Sequence, residues 1–320
     1  MNKRKISILE MLLIFCCFLL LFSTLAIAQH PVSVHADHRI FSNDSTVEDT
    51  TQITLSRWIK VKQEVRIENY FEYIDSLVCT IKISGSNKLR EHHIAHQNAW
   101  IIDTLSSTDY YVKKLKDSFV FDQKKMIVLK EGDSIEIPGT KDINDLEQLF
   151  SMLYLDINIP EYRLRIYKSD SLLFSFPIRI GQNKKKYLAM SKRVTNLRTQ
   201  TGTGKIVAHH KNPVYYNPVN MKRYKQTIRD DGQKTLLPRI PWLETEINGV
   251  RNGQMIHPTT NPVTLGKAYS NGCIGIKEQD AWIIYYFAPI GTPIYIRYDT
   301  VIETTDGKTI ILEDIYNYLN

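Results

Sequence analysis

A mostly β domain filling the second half of the chain, preceded by a smaller α+β segment, is the fold class this sequence predicts. Three observations carry it. Tyr is abundant at 18 residues while Gly numbers only 14, a composition that leans towards strands. From Leu153 onward, short apolar or alternating runs follow one another, separated by turn residues. One segment in that half, Glu278 to Phe287, places its apolar residues at helical spacing. The chain has 320 residues, room for two ordinary domains or one with a long extension. With 43% apolar and 23% charged residues it buries a core, which excludes a wholly disordered or collagen-like chain. The net charge of +7 is spread along the sequence, so it points only weakly to anionic surroundings, and no nucleic-acid partner is expected.

Residues 1–28 open with Lys3, Arg4 and Lys5 and run apolar from Met11 to Ala28 apart from Ser23 and Thr24. They close on Ala26-Ile27-Ala28, a small-x-small cleavage pattern before Gln29. This is a cleavable export signal or, since about 18 apolar residues just span a bilayer, an uncleaved anchor. Either reading exports the rest of the chain to the periplasm or cell envelope, with membrane contact only through this segment. Residues 29–55 are polar and aperiodic, a linker.

Residues 56–150 form the α+β segment. A strand is expected at Val78–Ile83, with Cys79 as a small buried hydrophobe, then a turn at Ser84–Asn87. Helical spacing runs from Leu89 to Leu105, and a helix from Asp142 to Met152. Met126–Leu129 and Ser134–Ile137 read as a hairpin around Glu131-Gly132-Asp133. The stretch from Glu131 to Pro138 bears a faint likeness to the end of a wall-binding lysin motif, without the rest of it. His92, His93 and His96 read as a solvated helix face rather than a metal site.

Residues 151–298 hold expected strands at Tyr154–Ile159, Arg163–Tyr167, Leu172–Ile180, Lys205–His210, Gln254–His257 and Pro293–Tyr298. The single helix from Glu278 to Phe287 is stopped by Pro289 and Gly291. Lys184–Lys186 reads as a solvated hairpin tip. Residues 299–320 are a tail with an Asp306-Gly307 hairpin and a short amphipathic end, Leu312 to Leu319.

Cys16 and Cys17 lie in the leader, which leaves Cys79 and Cys273, too few for a disulfide framework. Cys273 stands in Tyr269-Ser270-Asn271-Gly272-Cys273-Ile274. A thiol needs a neighbouring base to become a nucleophile at neutral pH. His257 lies 16 residues earlier, and a strand, a loop and a second strand can bring the two together. Gly272 allows a sharp bend whose successive backbone N–H groups point at one spot, as an oxyanion requires. From these residues alone a lone Cys and a lone His are more often structural than a catalytic pair.

The stretch resembles the active-site motif of the L,D-transpeptidase (YkuD-type) catalytic domain, which has a His, a Gly-containing loop, then Ser/Thr-His-Gly-Cys and two apolar residues around an Arg or Asn. His257, Leu265–Ala268, Ser270, Gly272 and Cys273 match in order, followed by Asp280-Ala281 and Pro289–Ile294. Upstream, Ile157–Leu164, Phe176–Gly181, Thr199–Gly202 and Lys211–Pro213 resemble the family's hairpins and turns. The likeness covers about residues 153–298.

The resemblance implies a mixed β-sandwich with the Cys at the mouth of a cleft. It implies an exported enzyme acting on peptidoglycan stem peptides, with Cys273 as nucleophile and His257 as base, then acid. The backbone of Asn271, Gly272 and Cys273, supported by Ser270, would hold the oxyanion, and no metal or organic cofactor is expected. The acyl group would pass to an amine, giving a 3–3 crosslink or attaching an envelope protein, or to water. Trp242, Met255, Thr259 and Tyr269 are expected on the substrate side. Three departures stand out: Asn271 replaces a His, Gly275 an Arg, and Pro258 a common Gly. They imply shifted donor or acceptor preference, with one anion-binding contact missing at Gly275. A papain-like peptidase fits less well, since its Cys precedes its His. A wall-binding scaffold that kept the fold is the non-enzyme alternative.

Overall fold

In the second half, apolar side chains on alternate positions bury one face of an eight-stranded mixed sheet. The chain is described from a computed structural model over residues 55–81, 88–304 and 306–319. The expected leader, nearly all of the linker and the turn at Ser84–Asn87 lie outside those residues. Among the described residues, no helix is long and apolar enough to cross a membrane.

Across the sheet the order is Ile274–Ile276, Met255–Pro258, Trp242–Ile247, Gly202–His210, Pro293–Arg297, Leu153–Asn158, Arg163–Lys168 and Ser171–Pro177. Two neighbouring pairs are parallel, Met255–Pro258 with Ile274–Ile276 and Leu153–Asn158 with Pro293–Arg297. The others are antiparallel. Leu155, Ile157, Leu164, Ile166, Ile206, Leu243, Ile256 and Ile274 make the buried face. The helix Glu278–Phe287 forms where its spacing places it and buries Ala281, Trp282, Ile284, Tyr285 and Tyr286. The expected strand Leu172–Ile180 is two pieces, Ser171–Pro177 and Ile180–Gly181.

The N-terminal segment packs on the same helix and shares its core. Phe71 stacks on Trp282 at 6.0 Å between ring centroids, and the Tyr70 and Tyr286 hydroxyls lie 2.6 Å apart. Several expectations change here. Val78–Thr80 is the end of a helix, Ile67–Thr80, not a strand. Ile67, Tyr70, Phe71 and Ile74 give that helix a buried stripe at 3.6-residue period, which outweighs the β-branched run at its end. Cys79 falls off the stripe and is exposed.

The long helical stretch breaks at Asn98 into Glu91–Gln97 and Ala99–Ser106. The Asn98 amide donates to the Ile94 and Glu136 carbonyls at 2.8 and 2.7 Å, which fixes the break. The strands Ile127–Leu129 and Ser134–Ile137 form but do not pair with each other. They pair with Val65–Arg66 and Arg57–Lys60.

The three histidines are not a solvated face. His92 and His93 are buried, and His92 and His96 bond to the Tyr285 and Tyr286 carbonyls. Glu91, His92 and His209 gather with potential ligand atoms within 4.8 Å. Lys211 Nζ already stands 2.8 Å from Glu91 Oε2, as that carboxylate's counter-ion.

Between Gly202–His210 and Trp242–Ile247 the chain makes a long excursion with a small strand pair, Gln226–Ile228 and Lys234–Leu236. Arg229 from this excursion forms a fully buried ion pair with Glu278 at the start of the helix. The tail hairpin pairs Val301–Glu303 with Thr309–Ile311. Residues 312–319 then fold back without forming a helix, and Tyr316 is 0% exposed.

Candidate active site

The parallel pairing of Met255–Pro258 with Ile274–Ile276 sets the geometry. His257 stands opposite Gly275, and Ile256 opposite Ile274. Side chains alternate across a strand, so Ile256 and Ile274 point into the core while His257, Gly275 and Cys273 share the other face. The next strand puts Leu243 opposite Ile256, which sets Trp242 beside His257 with ring centroids 5.0 Å apart. His257 and Cys273 are diagonal neighbours on this face, both half-buried. The sequence separation is closed by the route expected of it: a strand, a returning loop and a second strand.

The turn before the thiol is held from within and from below. Gly272 has φ 113°, a conformation closed to most L-residues. The Ser270 hydroxyl donates to the Cys273 carbonyl at 2.5 Å and accepts the Gly272 N–H at 3.2 Å. That leaves the backbone N–H groups of Asn271 and Cys273 without a partner among the described residues. Gly272 and Ser270 therefore shape the turn, and the free donors are its two neighbours. From below, the Thr199 hydroxyl donates to the Gly272 carbonyl at 3.0 Å and accepts the Gly181 N–H at 2.8 Å. The Tyr316 hydroxyl accepts the Thr199 N–H at 3.0 Å and donates to the Gly181 carbonyl at 2.8 Å. Position 181 must be glycine, since a Cβ there would lie 1.9 Å from the Leu197 carbonyl oxygen.

His257 Nδ1 lies 2.9 Å from the Pro258 carbonyl. A carbonyl only accepts, so Nδ1 carries the proton and the Nε2 lone pair is free. Burial, with the Arg179 guanidinium second, pulls the imidazole pKa down to about 4. Burial pushes the Cys273 thiol up, opposed by a hydrogen bond from the Met255 backbone and by Arg179. At neutral pH the resting pair is thus a thiol and a neutral imidazole, not a thiolate and an imidazolium. At rest the sulfur faces the Gly253 carbonyl, 3.9 Å away, and no hydrogen bond joins it to His257 among the described residues. Nucleophile–base bonds are often loose before substrate arrives.

Of the residues expected on the substrate side, Trp242 and Met255 are half-buried along this face and Tyr269 is 58% exposed at its rim. Thr259 is not available. It is 3% exposed, its N–H bonds to the Ile276 carbonyl and its hydroxyl accepts from the Asn261 N–H. Asn271 is exposed, and its side chain makes no hydrogen bond among the described residues. Two hollows lie elsewhere, one by Tyr154 and Arg297 and one by Tyr215 and Tyr224, and neither holds Cys273 or His257.

The strand order and the Cys turn fall within a stretch, residues 153–296, that matches the model of the YkuD family, the L,D-transpeptidase catalytic domain. Over residues 153–296 the chain is similar to an L,D-transpeptidase catalytic domain. A Bacillus licheniformis protein named "Putative L,D-transpeptidase YkuD" is 24% identical over 165 residues, 52% of this chain and 74% of that one. Among solved structures, an L,D-transpeptidase from Mycobacterium smegmatis matches at TM-score 0.31 and 16% identity. The match covers 46% of this chain and 58% of that one, less than two thirds of its length. The L,D-transpeptidase of Xylanimonas cellulosilytica (residues 123–326) matches at TM-score 0.34 and 10% identity, over 74% of this chain and 97% of that one. The L,D-transpeptidase domain here is mostly β, as expected, with its one helix directly after the Cys turn.

Sequence reasoning missed Thr199, Tyr316 and Arg179. Thr199 stood only inside the Thr-Gln-Thr-Gly turn and Tyr316 in an unassigned tail. Arg179 carried one available signal, a glycine at position 275 where the L,D-transpeptidase family often has an arginine.

Proposed function

We propose that Cys273 and His257 carry out acyl transfer on peptidoglycan stem peptides in the cell envelope, after export by the N-terminal segment. His257 Nε2 takes the thiol proton as Sγ attacks the carbonyl carbon of the third stem residue. The oxyanion is met by the Asn271 and Cys273 N–H groups. The C–N bond breaks, the imidazolium returns its proton to the leaving amine of the fourth residue, and a thioester remains on Cys273. An amine of a second stem or an envelope protein, or water, attacks the thioester and releases the thiol. The observation that carries this reading is the shared face: a half-exposed thiol, an imidazole with a free lone pair and two unused backbone donors.

Carbapenem incubation followed by intact mass tests it. A mass gain equal to the whole inhibitor, mapping to Cys273 and lost in Cys273→Ala, is expected. A folded protein that gains no mass and leaves stem peptides intact would sink the assignment in favour of a binding scaffold.

A further inference from the structure

Position 275 is empty in a specific way. It sits on the face shared by His257 and Cys273, two residues after the thiol, where the family often carries an arginine. A Cβ built there would meet Arg179 Nε at 2.4 Å, Cγ at 2.6 Å and Cδ at 2.9 Å. The space left by the glycine is therefore filled by an arginine side chain from another part of the chain. Arg179 is locked in place by a two-way bridge: its N–H donates to the Gly275 carbonyl, and the Gly275 N–H donates to its carbonyl, both at 2.9 Å. Arg179 thus lies over Gly275.

This guanidinium is under-partnered. A guanidinium has five N–H donors. The one hydrogen bond it makes runs from Nη1 to the Thr264 hydroxyl at 3.2 Å. Its Nε is buried with no partner, and no carboxylate among the described residues lies within salt-bridge distance. Cys273 is the strongest acidic influence on it, and Asp230, a weaker one, is already held by the Asn261 amide and the Val263 N–H. A half-buried cation left without an anion is costly unless something brings one. Planar guanidinium forks match carboxylates.

We propose that Arg179 is a specificity-determining residue that receives the free α-carboxylate of the leaving residue. The assignment rests on the acyl-transfer reading above. The chemistry places the anion within reach: the attacked carbonyl carbon and the carboxylate of the leaving residue are separated only by the scissile nitrogen and one Cα. Recognition of that carboxylate makes the cleft selective for a bond one residue from a free C-terminus, against bonds inside a longer peptide. Gly275 and Arg179 then form a unit, since a side chain at 275 would evict the arginine.

The test compares two synthetic donors, identical stem tetrapeptides ending in D-alanine or in D-alanine amide, with release of the last residue followed by mass spectrometry. The wild-type protein is expected to favour the acid by about 10- to 100-fold in kcat/KM, the size of a charge-assisted contact. Arg179→Gln should collapse that ratio to about 1 by slowing the acid donor more than the amide, since loss of the charge beside His257 and Cys273 acts on both donors alike. Equal use of both donors by the wild type overturns the assignment without needing a variant. So does an Arg179→Gln protein, folded by circular dichroism, that keeps the wild-type acid-to-amide ratio. Failure to turn over either donor, joined with no carbapenem adduct, would instead remove the acyl-transfer reading and this assignment with it.

Discussion

Thr199→Val probes how the thiol is held. Thr199 is fully buried beneath the Cys turn, and its hydroxyl bridges the Gly181 N–H and the Gly272 carbonyl. Valine keeps the branched shape and removes only the polar link. Gly181 is buried, so its N–H loses its partner with no water to replace it. Gly272 is half-exposed, and its carbonyl recovers part of its loss from solvent. One orphaned donor and one weakened acceptor come to about 2 kcal/mol of stability. The same change frees the turn that carries Cys273, and acylation should fall by about 10-fold or more. Urea unfolding at constant m reads the first quantity, and the rate of carbapenem labelling at Cys273 reads the second. Thr199→Ser keeps the hydroxyl and should stay near wild type in both. Wild-type labelling by a destabilised Val variant would show that the turn keeps its shape without this bridge, and the reasoning would fail.

Two further predictions follow from burial. His257 must be neutral to accept a proton, and its pKa of about 4 keeps it neutral well into the acid range. At pH 5.5 about 97% of it stays neutral, against about 9% for an ordinary histidine. Acylation should therefore change little between pH 7.5 and 5.5 and fall only as pH approaches 4. An acid limb centred near pH 6.5 would refute the burial account. At the other end of the helix, Glu278→Ala leaves Arg229 buried, 3% exposed, without its anion. A loss of about 3–5 kcal/mol is expected, largely recovered by removing both charges in Arg229→Met/Glu278→Leu. A loss under about 1 kcal/mol by chemical denaturation would mean that the pair is not what fixes the excursion to the helix.

Much of the L,D-transpeptidase domain was legible because its signals are local. Strands of alternating polarity stand where the alternation runs, and the helix after the Cys turn begins and ends where its stripe and stops predict. His257 and Cys273 could be joined because one strand–loop–strand step separates them. The N-terminal segment was less legible. Val78-Cys79-Thr80-Ile81 has β propensity, yet the stripe through Tyr70 and Ile74 finds Trp282 and Tyr286 to pack on, and tertiary burial overrides a four-residue preference. His92 and His96 escape the sequence pattern for the same reason: their partners are carbonyls of a helix some 190 residues away. Arg179 was out of reach because its meaning depends on a glycine nearly a hundred positions later.

The bonds from Tyr316 through Thr199 to Gly272 join the turn carrying Cys273 to a residue some forty positions after it. A chain that stopped short of that tyrosine would keep every strand of the large sheet and lose the support beneath the loop carrying Cys273.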